Sequence, residues 1–181
     1  VHGATDVMSG PQLDARLEWI RRVAGPFHIA YFGRLAANKG IDRMIEAVQL
    51  AQEQGTDIRL RIVGDGDQAG ALQAMVRSLK LESRVEFIGA VPWGAPLFAL
   101  LEDQHLCVMA PLIEDTPRAA FDAFCRGLPI VAFDIAFFRD LAAESGAVVT
   151  TPWPLAEGLA RAFVQLSGDR EALARMSADA V

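Results

Sequence analysis

"FHIAYFGRLAANKGIDRMIEAV", residues 27–48, carries a change of period. Residues 27–33 form a short, nearly continuous apolar run, as expected of a strand covered on both faces of a sheet. From residue 41 the apolar positions fall instead at Ile41, Met44, Ile45, Val48 and Ala51, spacings of three and four that predict a helix over 41–54. The turn between them, residues 33–40, opens and closes on glycine. A strand, a glycine-bounded loop and an amphipathic helix make the first half of a strand–helix–strand unit.

The same unit repeats along the chain. Residues 58–64, 85–89, 105–110, 129–134 and 146–150 read as further strands. Helices fit 11–23, 68–80, 96–102, 117–126, 137–144, 154–166 and 169–179. This alternation predicts an α/β fold, a doubly wound parallel sheet of about six strands with helices on both faces. Ligands of such sheets bind outside the carboxyl ends of the strands, where the strand order reverses. The loops to read for function are therefore 33–40, 64–68, 89–95, 111–117 and 134–138.

Composition sets bounds. The chain has 181 residues, 52% apolar and 22% charged, which suits one globular domain. A net charge of −6 argues against nucleic acid as an electrostatic partner. It leaves room for a local phosphate site, because charges beyond about 8 Å are largely screened. Cys107 and Cys125 lie in an apolar run and a helical stretch and read as small core residues of a reducing, cytoplasmic compartment. No apolar run approaches the ~20 residues of a membrane span. The chain opens Val1-His2-Gly3, without methionine or a signal-peptide pattern, and reads as a fragment of something longer.

Each loop admits a chemical and a plain structural reading. In 33–40, Arg34 and Lys39 stand where a strand–helix turn aims backbone N–H groups, which suits a diphosphate. Spacing alone equally allows two solvated cations, one paired with Asp42. In 63–67, Asp65 and Asp67 form an acid–x–acid triplet, either a metal ligand pair of a phosphotransfer protein or a helix cap at Asp67. In 89–96, Trp93 either stacks on a nucleobase or packs, and the Ala90 and Val91 backbone suits a base edge. In 111–127, Thr116 reads as an N-cap and Pro117 as the first helical residue. That leaves Glu114 in the loop and Asp122, eight positions on, inside the helix, where an ion pair with Arg118 or Arg126 is its plain explanation. His28, in the first strand, reads as a hydrogen-bonded core histidine.

Four stretches in order, "GRLAANKGIDRMIEA" (33–47), "IVGDGD" (62–67), "VEFIGAV" (85–91) and "EDTPRAAFDAFCRGLPIVAFD" (114–134), resemble the donor-binding, C-terminal half of GT-B glycosyltransferases of family 4, the glycosyl transferases group 1 domain. The resemblance runs from about Phe27 to Ser177. It implies a nucleotide-diphosphate-sugar site without a metal or other cofactor, and transfer to an acceptor with retained anomeric configuration. It implies that Arg34 and Lys39 hold the diphosphate and, with Glu114, carry the catalysis. Glu114 would meet the sugar hydroxyls and Asp122 the ribose; Gly33, Gly64, Val91, Thr116 and Arg118 complete the donor contacts. It further implies that residues 1–26 are a linker and helix from an absent N-terminal domain that binds the acceptor, and that any membrane contact belongs to missing parts. An alternative of the same fold is a degenerate, non-catalytic nucleotide-binding or interaction module. The departures from the family pattern are Asp122 in place of glutamate, Asp115-Thr116-Pro117 in place of glycines, and Ile135-Ala136-Phe137-Phe138 in place of a glycine pair. Phenylalanines there are expected to narrow or cover the donor pocket.

Overall fold

The computed structural model describes residues 7–181. The opening Val1-His2-Gly3 and the first six residues of the expected linker lie outside the described residues. The strands are β1 (Phe27–Phe32), β2 (Ile58–Val63), β3 (Val85–Gly89), β4 (Leu106–Met109), β5 (Ile130–Phe133) and β6 (Val148–Thr151). They form one six-stranded sheet in the order β3-β2-β1-β4-β5-β6. Every pairing is parallel. The order therefore reverses at β1, which has β2 on one side and β4 on the other.

The helices are α1 (Gly10–Arg22), α2 (Ile41–Glu53), α3 (Ala69–Ser78), α4 (Ala95–Leu101), α5 (Ala119–Cys125), α6 (Ala136–Glu144), α7 (Ala156–Gly168) and α8 (Arg170–Asp179). Strand side chains alternate between the two faces. On one face Phe27, Ile29 and Tyr31 of β1 join a core with Met44 and Val48 of α2 and Phe163 of α7. On the other, Ala30 and Phe32 join Leu97 and Leu101 of α4, Ala120 and Ala123 of α5, and Phe138 of α6. Two apolar layers on one sheet explain why the central strands β4 and β5 are apolar at every position.

Helix α1 is built into this domain. Its N-terminus carries a capping box between Ser9 and Gln12. Arg16 is buried and donates to the Gly127 carbonyl at 2.8 Å, the Gln104 carbonyl at 2.9 Å and Ser177 Oγ at 3.2 Å. Those partners are all neutral, so burial, with the charge of Arg126 adding to it, brings the guanidinium down to about 10.

His105 is the second buried polar anchor. Its ring packs against both Trp19 and Phe27, with centroids at 4.7 and 4.8 Å. Its Nδ1 accepts the backbone N–H of His28 at 2.9 Å, so the ring is neutral with its proton on Nε2. The hydrogen-bonded core histidine is thus His105, and half-buried His28 takes part through its backbone. Burial, and next the nearby Arg170 charge, pushes His105 down to about 3. An unfolded histidine titrates near 6.5, so between those limits the unfolded chain binds a proton that the folded chain refuses. Stability should therefore fall as the pH drops from 6.5 towards 5, by up to about 1.4 kcal/mol per pH unit. Urea unfolding across that range reads the slope, and His105→Gln should flatten it.

Candidate functional site

The carboxyl ends of the strands are sewn together by their loops. Gly33 N–H reaches the Val63 carbonyl and Gly64 N–H the Gly89 carbonyl, at 2.9 and 2.8 Å. Leu35 N–H donates to the Asp65 carbonyl at 2.9 Å, and Leu112 N–H to the Asn38 carbonyl at 2.8 Å. The loop after β1 is thereby held between the loops after β2 and β4. Two glycines permit the closeness. Gly40, at φ 64°, presses its Cα against the Ala110 carbonyl, where an added Cβ would overlap the oxygen. Gly64, at φ 144°, lies equally tight on the Gly33 carbonyl.

A cavity of about 390 Å³ opens at this reversal point. Arg34, Asn38, Lys39, Asp115 and Arg118 supply its polar lining, over a floor that includes Tyr31, Met109 and Ala110. The two loop cations Arg34 and Lys39 face this one cavity together with Arg118, the third cation expected there. Arg34 is exposed, and its carbonyl accepts the Tyr31 hydroxyl at 2.8 Å. Lys39 is ion-paired with Asp115. Asp42, the partner considered from spacing, instead approaches Arg43 at 3.7 Å. The Lys39 hydrogen bond, foremost, holds the Asp115 carboxyl below the usual carboxylate range.

The loop after β4 departs from its sequence reading. Helix α5 starts at Ala119, not Pro117, and its N-cap is Arg118 with no side-chain cap bond. Thr116 is not a cap: its N–H donates to Asp115 Oδ1 at 2.8 Å. Asp115 competes locally for that N–H, and residues 114–117 stay outside regular secondary structure. Glu114 stands outside the cavity lining, and its carboxylate accepts the Ala136 N–H at the start of α6 at 3.2 Å. Asp122 lies on the first turn of α5, half-buried, with one carboxylate oxygen fully shielded.

A second cavity of about 330 Å³ adjoins the first through Phe32, Gly33 and Arg34. Gly64, Asp65, Ala90, Val91, Trp93 and Leu97 line the rest. Trp93 is 50% exposed, with Phe98 edge-on at 5.4 Å, so it is neither fully packed nor fully free. Asp65 Oδ1 accepts the N–H of Gly66 at 2.7 Å, and α3 has Gln68, not Asp67, at its N-cap. Among the described residues no group of three or more His, Cys, Asp or Glu is placed to hold a metal. The phenylalanines after β5 do not narrow either cavity: Phe138 is fully buried under the sheet and Phe137 packs edge-on against Phe121 at 6.1 Å. The apolar strand face beneath them draws them inward.

Residues 26–169 match the family described as glycosyl transferases group 1. The chain belongs to that family. Among its relatives, 2-deoxystreptamine glucosyltransferase of Streptomyces kanamyceticus is 27% identical over 142 residues, covering 78% of this chain and 36% of its own. Exopolysaccharide phosphotransferase SCO2592 of Streptomyces coelicolor is 33% identical over 152 residues, with 78% and 15% covered. The chain thus spans about a third or less of these relatives. The crystal structure of Anabaena Alr3699/HepE in complex with UDP and glucose superposes with a TM-score of 0.76 at 23% identity, over 96% of this chain and 47% of that one. The fold is therefore the GT-B group 1 glycosyltransferase domain, as the motifs implied.

The sequence reading missed Asp115, Asn38 and Tyr31. An acid facing the loop cations from the neighbouring strand end was a signal for the first; the other two act from a turn and a strand with no motif of their own. Because Gly40 sets the contact between the two loops, Gly40→Ala should destabilise the domain by about 2 kcal/mol or more, through overlap with the Ala110 carbonyl and a strained φ. Chemical unfolding of the variant measures this.

Proposed function

We propose that this domain binds the nucleotide-diphosphate-sugar donor of a retaining glycosyl transfer. One observation carries the reading: Arg34, Lys39 and Arg118 line one cavity at the strand-order reversal, adjoining a second cavity beside an exposed tryptophan. The first cavity suits a diphosphate and the second a nucleoside, with Trp93 as a stacking wall and Val91 and Gly64 offering backbone. The UDP and glucose held by the Anabaena structure support the choice of ligand class.

In this reading the bond from the anomeric carbon to the phosphate oxygen breaks, and its electron pair leaves with the diphosphate. The sugar becomes cation-like, and an acceptor hydroxyl oxygen forms the new bond on the same face while its proton passes to the departing diphosphate oxygen. Negative charge grows on the leaving oxygen, so cations fixed there stabilise the transition state more than the ground state. A charge-assisted hydrogen bond contributes about 1.5–3 kcal/mol, worth roughly ten- to a hundredfold in rate. Arg34 and Lys39 supply that charge, and the proposed chemistry needs no metal. Glu114 swings from the Ala136 N–H to the sugar hydroxyls, and Asp122 takes the ribose, while Thr116 borders the donor. The acceptor is held by a further domain of the same protein, and the present chain alone does not complete transfer. Among the described residues no helix is long and apolar enough to cross a membrane. The donor is taken from a cytoplasmic pool in this reading.

A second reading, a donor-binding module that has lost transfer, draws on Asp115 holding Lys39 and on Glu114 held at α6. The two readings part on catalysis and not on binding. Calorimetric titration with UDP-, GDP- and ADP-sugars should give micromolar to low-millimolar binding of at least one donor, weakened about tenfold or more by Arg34→Ala. A chain that answers none of them overturns the donor reading. Transfer by the full-length protein, abolished by Lys39→Ala, separates the enzyme from the module.

A further inference from the structure

Among the described residues lining the phosphate-side cavity, Asp115 is the one acid. It faces three cations, yet pairs with only one. Its Oδ2 takes the Lys39 ammonium, and its Oδ1 takes the Thr116 N–H at 2.8 Å. Both side chains of the pair are 27% exposed, so the contact is partly screened from water by the cavity wall. Arg34 and Arg118 are exposed and make no side-chain hydrogen bond or ion pair to another described residue. The cavity thus has two open cations and one that is already neutralised.

An anionic group with one oxygen on an ammonium and another on a backbone N–H is what a bound phosphate would present. Resting on the donor-site reading above, we propose that Asp115 is an internal counter-ion that occupies the place of one phosphate of the ligand and so sets how strongly the site distinguishes nucleoside diphosphates from monophosphates. A monophosphate satisfied by Arg34 and Arg118 leaves the Lys39–Asp115 pair intact. A diphosphate long enough to claim Lys39 must displace the carboxylate, and then leaves it beside a new negative group. The energy gained at Lys39 is reduced by the pair that is lost, so Asp115 lowers affinity for the diphosphate alone. Such a carboxylate also helps the diphosphate leave, because Lys39 has a partner waiting.

Asp115→Asn tests this, since asparagine keeps an oxygen for the Thr116 N–H and loses the charge. Titration of the chain with UDP, GDP and ADP, each against its monophosphate, is expected to show about fivefold tighter binding of the preferred diphosphate to the variant. The matching monophosphate should change by less than about twofold. Asp115→Ser, a second uncharged variant, should behave alike. In a Lys39→Met background the gain from Asp115→Asn should vanish, because there is no cation left to release. Unchanged or weaker diphosphate binding in both uncharged variants, while the unaltered chain binds, overturns the counter-ion role and leaves the donor reading standing. Equal gains for mono- and diphosphate also overturn it, pointing to a general charge effect. If neither the unaltered chain nor any variant binds a nucleotide, the donor reading falls and takes this inference with it.

Discussion

The contact between Gly40 and the Ala110 carbonyl governs the geometry of everything above the sheet. It is a contact between two backbones, possible only because one of them has no side chain. It sets the loop after β1 directly on the end of β4, and the Leu112–Asn38 hydrogen bond locks that position. Lys39 then has no choice of neighbour: the acid that it meets is the one that β4 delivers. The order reversal between β1 and β4 is thereby turned from a gap in the topology into a lined cavity.

Electrostatics at this edge runs against the bulk of the molecule. A chain of net charge −6 gathers Arg34, Lys39 and Arg118 within one cavity and admits one carboxylate. Screening lets the local sign decide what approaches. The opposite edge is handled differently. There Arg59 and Arg84 share Asp57, and Arg61 reaches both Glu86 and Asp103, so those cations are already satisfied. The difference between spoken-for and open arginines, more than their number, marks which edge suits an anion.

The sheet and its helices were legible because each strand lies between two apolar layers and each helix buries a stripe. Strand and helix limits differ from the sequence reading by a residue or two, as fraying ends do. The loop cations Arg34 and Lys39 were also legible, since a glycine-bounded strand–helix turn has a strong local signature. The segment 111–118 was not. Thr116-Pro117 has the chemistry of a helix start, but Asp115 offers a competing acceptor to the same N–H, and the helix begins two residues later. The phenylalanines at 137–138 misled for another reason: in α6 Phe138 turns into the core and Phe137 packs against Phe121, away from the cavities. The roles of Arg16 and His105 depend on partners far off in sequence, which periodicity does not carry.

Arg16 joins α1 to turns that precede β4 and β5, and to α8, at the edge of the sheet away from the cavity. One guanidinium thus fastens the first helix of the domain to three distant pieces of chain. A torque delivered through α1 would meet a rivet and not a hinge. It would turn the sheet as a single plate, and the cation-bearing rim would sweep through space with its internal spacings preserved.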